Sequence, residues 1–330
     1  MRRARTVLES DALRVTVDPL VGGTIAAIAH KRLGASVLGR VPWETEASLP
    51  ESYAAPDERS WLRHYEGGWP VLFPNGGDAC RFAGVFHGFH GEASLAPWEA
   101  EMDGLQIHLR RKFDSVPVEM HRAIEVTGEI VTIRETVRML GADPVQVMWG
   151  HHPSFGSDLL DGPFEIQTGA RHVSIDDRYD GAANPLQHGT TCRWPMAAGK
   201  RGAFDLSRPS MPMAGMAYLH DFGAHWAAIR RLDDRVAAAL SWDGTAFPHA
   251  WLWLELEGTQ DAPWDGKTRL IGIEPNTTWP GNGLADTAQC RAPLLTLQPG
   301  VEISATVRLH VFKPNGPVLG VDADGQALRR

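Results

Sequence analysis

Leu105-Gln106-Ile107-His108-Leu109-Arg110 and, a little further on, Thr132-Ile133-Arg134-Glu135-Thr136-Val137-Arg138-Met139 are the stretches that decide the fold. Leu105, Ile107 and Leu109 alternate with Gln106, His108 and Arg110; Ile133, Val137 and Met139 alternate with Thr132, Arg134 and Arg138. A period of two with one apolar side predicts antiparallel strands with one wet face. The pattern recurs outward in both directions. Leu13, Val15 and Val17 alternate with Arg14, Thr16 and Asp18 before Gly22-Gly23 turns the chain into Thr24–His30, and Val301 to Val311 forms a last alternating strand. Trp226–Leu240 is alanine-rich, yet Asp233-Asp234 can turn a hairpin within it, and a hairpin is the expectation. The tail after Pro314 reads as peripheral. With 34 glycines, 23 prolines and 12 tryptophans, no repeat and no linker, the chain reads as all-β: one domain over 1–330, a large antiparallel β-sandwich.

Charge and cysteine usage narrow the partners. A net charge of −8 without a basic run argues against nucleic acid or an anionic membrane surface. Cys80, Cys192 and Cys290 are odd in number and far apart, so neither a disulfide framework nor a zinc ribbon is expected, and a reducing cytoplasm is the default. Met1 to Ser10 carries arginines but no apolar core of signal length, and no stretch is long and uncharged enough to span a bilayer. The expected partner is a small molecule, bound by a cytoplasmic monomer or homodimer.

The alternating strands run up to Trp149-Gly150-His151-His152-Pro153-Ser154-Phe155-Gly156. Pro153 cannot donate to a ladder and biases His152 toward extended backbone, so a strand is expected to leave its sheet here, presenting an imidazole beside aromatic side chains. Such a rim suits acid/base chemistry near neutral pH. Structural pairing is the competing reading of two adjacent histidines, and His151 and His87 are given it. Arg40 to Tyr65 has no period and carries Trp43 and Trp61, a long excursion of the kind that serves function. Gly67 to Gly77, with its glycines and prolines, reads as a rigid binding loop. In Pro248 to Glu255 both alternating sets are bulky, with Trp251 and Trp253 pointing the same way. Arg269 to Thr277 is an apolar strand that Pro275 is expected to end, with Glu274 as its one carboxylate: a paired structural charge or a base.

Taken together, Gly67-Gly68-Trp69-Pro70, Phe73-Pro74, His90-Gly91, Pro97-Trp98, His152-Pro153-Ser154-Phe155, Ile273-Glu274-Pro275 and the Leu297–Gly300 turn resemble the aldose 1-epimerase (galactose mutarotase-like) family over nearly the whole chain. The glycine-rich loop and His90-Gly91 are nearer its hexose-6-phosphate epimerase-like branch, although His90-Gly91 is followed by Glu92-Ala93 where that branch offers an arginine. The resemblance implies a supersandwich of two twisted sheets, His152 as general acid, Glu274 as general base and His90 on the sugar ring oxygen. The chemistry the resemblance implies is interconversion of the α and β anomers of a free or anionic hexose. One acid and one base suffice, so no metal or cofactor is expected. Trp253 offers a flat surface to a sugar, and Arg81, Asn75 and Asp78 offer hydrogen bonds to hydroxyls, with a salt bridge the competing reading of Arg81. Three rivals stand beside this reading. A glycosidase would need a second carboxylate, which Glu92 or Asp78 could supply. A metal-dependent enzyme would use His87, His90, His151 and His152, and a sugar-binding sensor would have lost turnover. An acidic sugar could be held by Arg63 or Arg81.

Overall fold

The computed structural model describes residues 5–46, 48 and 50–329; positions 1–4 of the Met1–Ser10 stretch lie outside them. The elements that position the site are, in chain order, β1 (Leu13–Asp18), β2 (Thr24–His30), α1 (Glu58–Leu62), β3 (Val71–Leu72), β4 (Glu99–Asp103), β5 (Gln106–Lys112), β6 (Val118–Thr127), β7 (Ile130–Met139), β8 (Gly150–His151), β9 (Ser154–Phe155), β10 (Phe164–Ile175), β11 (Met213–Arg231), β12 (Ala237–Trp242), β13 (His249–Leu256), β14 (Arg269–Asn276), α2 (Leu284–Gln289) and β15 (Glu302–Phe312).

One large antiparallel sheet runs β3-β8-β14-β13-β11-β12-β15-β7-β6-β5-β4, with β9 also on β14 and β10 also on β11. The long β11 makes this sheet a sandwich. Its first part, Met213–Leu219, pairs with β13, and its last part, Trp226–Arg230, pairs with β12, so one strand serves two layers. The bend falls between those parts, where Asp221 has φ +55° and the β10 register shifts between Thr168 and Ala170. Apolar residues of both layers, among them Ile271, Ile273, Leu252, Ile133, Val137, Val307 and Leu309, meet in one contiguous core. Trp226–Leu240 is the β11–β12 hairpin, as its Asp233-Asp234 turn predicts.

A buried charge network lies in the core. Arg122 on β6 and Glu135 on β7 are register partners, both buried among apolar neighbours, with Nε donating to Oε1 at 2.6 Å. Arg122 also donates to the Gly23 carbonyl at 2.9 Å, and Trp149 Nε1 donates to Glu135 Oε2 at 3.0 Å. His151 Nε2 lies 3.3 Å from the same oxygen while its Nδ1 accepts from Trp69 Nε1 at 3.1 Å. Burial raises the Glu135 carboxyl, but His151 and Arg122 overcome this and hold it at about 2. His151 is thus a core residue that ties β8 to the opposite layer.

Four local expectations change. Leu105 sits in the turn before β5 and is 58% exposed, because Gly104 with φ +59° turns the chain there. Pro275 does not end β14, which runs on to Asn276 with Pro275 opposite Ala250. The excursion between Arg40 and Tyr65 contains α1, started by Asp57 accepting from the Ser60 N–H at 2.7 Å. The tail forms a hairpin, Val318–Val321 with Ala327–Arg329, whose Val318 and Ala327 pack on Trp226, Ala228 and Phe312. Among the described residues no helix is long and apolar enough to cross a membrane.

Candidate functional site

Strand parity builds the floor of the site. On β14, Ile271 and Ile273 face the core, so Gly272 and Glu274 face the other way. Register places Trp251 opposite Glu274 and Trp253 opposite Gly272 on β13, and then Tyr218 and Met216 opposite these tryptophans on β11. On the other side of β14, Gly150 pairs with Asn276 and Ser154 with Gly272, while His152-Pro153 leaves the ladder between them. His152 is therefore held across from Glu274, its amide N–H bonded to the Pro70 carbonyl at 2.9 Å. His152 Nε2 stands 3.6 Å from Glu274 Oε1 at the bottom of a cavity of ≈ 350 Å³.

Gly272 leaves the space the carboxylate occupies. A Cβ there would lie 2.2 Å from Glu274 Oε1, so the glutamate side chain folds back over a residue that can only be glycine without displacing it.

Two loops raise the walls. From α1 and the turn after it come Glu58, Trp61, Leu62 and Tyr65, with Trp61 and Tyr65 stacked at 4.3 Å. Trp61 Nε1 donates to Ser94 Oγ at 3.0 Å, which fastens this wall to the chain beyond His90. His90 has φ +58°, and its ring lies 5.2 Å from that of His152. Its Nδ1 accepts from the Gly77 N–H at 3.0 Å, and its own N–H donates to the Gly77 carbonyl at 2.9 Å. A neutral imidazole that accepts at Nδ1 carries its proton at Nε2, so His90 is built as a donor. Gly77, at φ +81°, closes on Gly281: a Cβ would lie 1.7 Å from the Gly281 oxygen, so the glycine-rich loop is rigid by close backbone approach.

A hydrogen-bond chain also reaches His152 from behind. Its Nδ1 is 3.1 Å from Ser154 Oγ, which shares a short hydrogen bond with the Tyr65 hydroxyl. Burial pushes the Tyr65 phenol up, so it stays protonated and able to donate along the chain.

Burial governs the charges of the pair. It pushes His152 down to about 4 and Glu274 well above the ordinary carboxylate range, and Glu274 Oε2 has no hydrogen-bond partner. Two opposite charges at 3.6 Å would attract, but at more than hydrogen-bond length in a buried site desolvation opposes both. Burial therefore disfavours the charged form of both members of the pair. His90 is also lowered well below its usual value, by burial and then by His152.

Of the residues singled out in the sequence, His152, Glu274, His90, Trp253 and Asp78 line this one cavity, Asp78 at its mouth. Asn75 and Arg81 do not. The Asn75 amide is consumed inside the glycine-rich loop, donating to the Asp78 and Gly88 carbonyls and accepting from the Leu284 N–H. Arg81 is exposed on the hairpin Cys80–Phe82 with Val85–His87, its guanidinium 6.0 Å from the Phe86 ring. Arg63 is exposed beside Glu46, and His87 is buried away from the cavity. Glu92 is bound by Arg111 and by the Asp114 and Ser115 amides. Sequence reasoning missed Glu58, Tyr65, Asp176, Tyr179 and Tyr218 as lining residues. Among the described residues, no three His, Cys, Asp or Glu side chains come together as a metal-ligand set.

No protein-family model matches the chain, and no curated protein does either. Solved structures do. A protein from Synechocystis sp. PCC 6803 is similar at 19% identity and TM-score 0.67, over 95% of this chain and 97% of its own. A galactose mutarotase-like protein from Lactobacillus casei ATCC 334 matches at 14% identity and TM-score 0.63, over 94% of this chain and 100% of its own. An aldose epimerase homologue from C. elegans gives the same 14% identity, TM-score and coverage. The fold is the galactose mutarotase-like sandwich.

Proposed function

We propose that the protein is an aldose 1-epimerase, interconverting the anomers of a free hexose, with 1–330 acting as one catalytic unit. The observation that carries this is the pairing of His152 Nε2 and Glu274 Oε1 at 3.6 Å, both buried, at the foot of an aromatic-walled cavity large enough for a sugar ring.

Anomer exchange needs one proton put on the ring oxygen and one removed from the C1 hydroxyl. The C1–O5 bond then breaks, the open aldehyde turns about C1–C2, and the steps reverse. A pair that shares a single proton supplies one acid and one base whichever member holds it. With the sugar bound, the base takes the C1 hydroxyl proton while the acid protonates O5, and ring closure returns both. His90 Nε2–H is the added donor for a ring or hydroxyl oxygen, and Trp253 covers an apolar face of the ring. Of the two partner carboxylates the sequence offered a glycosidase, Glu92 is engaged elsewhere and Asp78 is an exposed residue of the cavity.

A phosphorylated substrate is the weaker option at this site. Glu58, Asp78, Asp176 and Asp180 line the cavity, and Arg178, the arginine among its described lining residues, is already paired with Asp286. Burial and Asp78 push Glu58 up, and burial, Asp286 and Asp176 push Asp78 up against the pull of Arg178, as expected where carboxylates crowd. Free thiols at Cys80, Cys192 and Cys290 suit a cytoplasmic protein. The test is NMR exchange between α and β anomers of neutral and phosphorylated hexoses with purified protein; catalysed exchange supports the reading, and none above the spontaneous rate on any hexose removes it.

A further inference from the structure

Among the described residues, two buried side-chain polar atoms without a hydrogen-bond partner belong to the lining of the ≈ 350 Å³ cavity: Glu274 Oε2, beside His152, and Asn282 Nδ2. A buried amide nitrogen without an acceptor costs free energy that a bound oxygen recovers. Other polar groups of the same lining are spent within the protein. Asp176 accepts from the Tyr218 hydroxyl and from the Arg178 and Tyr179 N–H groups, Arg178 is paired with Asp286, and the Tyr65 hydroxyl is bonded to Ser154.

The backbone on both sides of Asn282 is pinned. Before it, the Gly281 N–H donates to the Tyr218 hydroxyl on β11 at 2.9 Å. After it, the Gly283 N–H donates to the Gly76 carbonyl at 3.0 Å, and the Leu284 N–H donates to Asn75 Oδ1 at 2.8 Å. Gly283 has φ +88°, and a Cβ there would lie 2.5 Å from the Asp78 carbonyl oxygen, so this loop packs directly on the glycine-rich one. Asn75, expected from the sequence to touch the sugar, instead helps to hold the loop that carries Asn282. A polar group fixed in this way is ready for a ligand without further ordering.

The place of Asn282 relative to the pair follows from β13 and β14. Trp251 stands opposite Glu274, and its indole runs out to the loop, where a Cβ on Gly281 would lie 3.0 Å from Trp251 Cη2. Glu274 folds its carboxyl the other way, over Gly272, which stands opposite Trp253. Carboxyl and amide are thus at opposite ends of the floor that Trp251 and Trp253 form. A sugar ring whose C1 and O5 lie at His152 and Glu274 turns its far edge, C3 and C4, toward Asn282.

We infer that Asn282 is a binding residue that donates from Nδ2 to the C3 or C4 hydroxyl of the hexose, so that the cavity selects its sugar by that hydroxyl. The inference rests on the proposed reading of the cavity as the site of anomer exchange.

The test is a cycle between protein and sugar: anomer exchange of glucose, 3-deoxyglucose and 4-deoxyglucose by wild type, Asn282→Ala and Asn282→Leu, read by NMR. In the wild type one of the two deoxy sugars should fall about tenfold or more below glucose in kcat/KM. In Asn282→Ala, glucose should fall by a similar factor and match that deoxy sugar within about twofold, while the other deoxy sugar keeps its wild-type ratio to glucose. Asn282→Leu keeps the size of the side chain and removes its polar end, so it gives the same selective loss and decides the matter if Asn282→Ala disturbs the loop and lowers all three sugars. The inference is overturned if neither deoxy sugar falls below glucose in the wild type, if the variants leave glucose within about twofold, or if both lower the three sugars alike. If the wild type exchanges no sugar, the reading of the cavity fails separately. Calorimetric binding of the same three sugars to wild type and Asn282→Leu then decides the residue: glucose bound more tightly than one deoxy sugar, with that advantage lost in the variant, supports it, and no advantage, or one the variant keeps, removes it.

Discussion

Replacing His152 by asparagine should change how the stability of the protein depends on pH, by an amount the structure fixes. In the unfolded chain a histidine takes its proton near 6.5; in the fold, burial delays this until about 4. Between those values the unfolded state binds a proton that the folded state does not, so stability is intact above the unfolded value and is lost as pH falls through the folded one. At about 1.36 kcal/mol for each pH unit between 6.5 and about 4, the full penalty is about 3 kcal/mol, of which about 2 kcal/mol has accrued by about pH 5. Burial raises the Glu274 carboxyl well above the ordinary carboxylate range. Buried histidines and carboxylates away from His152 are common to both proteins and cancel in the difference, whereas His90, which His152 also lowers, is followed separately by NMR. Urea unfolding of wild type and His152→Asn at several pH values from about 7.5 to about 5 should show the gap shift by about 2 kcal/mol in favour of the variant as pH falls. A difference flat to within about 0.5 kcal/mol, or an imidazole that titrates near 6.5 by NMR, would refute the claim that burial holds His152 neutral.

Three further outcomes follow from the same geometry. Glu135→Gln leaves the fully buried Arg122 without its counter-charge and should cost about 3–5 kcal/mol in urea unfolding, with much of that recovered in Glu135→Gln/Arg122→Met. Gly272→Ala puts a methyl where Glu274 Oε1 lies, so anomer exchange should fall about 100-fold while the unfolding midpoint moves little, since a flexible side-chain end can swing away. Glucose 6-phosphate should show a KM above that of glucose, the gap narrowing with added salt and in Asp78→Asn; a phosphosugar preferred at low salt would mean that Arg178 leaves Asp286 to bind it.

The strands and their pairing were legible because alternation is a local signal: Ile133 and Val137, or Val15 and Val17, report a buried face without knowledge of the partner. The same signal held a clue left unread. Glu135 stands in phase with Ile133 and Val137, and Arg122 in phase with Met120 and Ile124, as only a paired buried charge would. His152, Glu274, His90 and Trp253 were readable from local motifs, and the fold brings them to one cavity. Asn75 and Arg81 were misleading because residue type says nothing of side-chain direction: Asn75 turns inward to hold its own loop, and Arg81 sits on an exposed hairpin. Glu58, Tyr65 and Tyr218 could not be found, since their place depends on how α1 and β11 fold over β13 and β14. The resting charges of His152 and Glu274 were likewise out of reach, being set by burial that exists only in the folded chain.

The most direct test is the rate of α/β anomer exchange of a hexose, measured by NMR across pH for wild type, Glu274→Gln and His152→Asn. The wild type should give a bell whose limbs belong to the coupled pair: activity falls toward about pH 4 as the pair takes a second proton, and falls on the alkaline side as its single proton is lost from Glu274. Each variant should lose about 100-fold or more while still binding sugar. Exchange near the wild-type rate in Glu274→Gln or in His152→Asn would contradict the account, because a single proton shared between those two side chains is what it rests on.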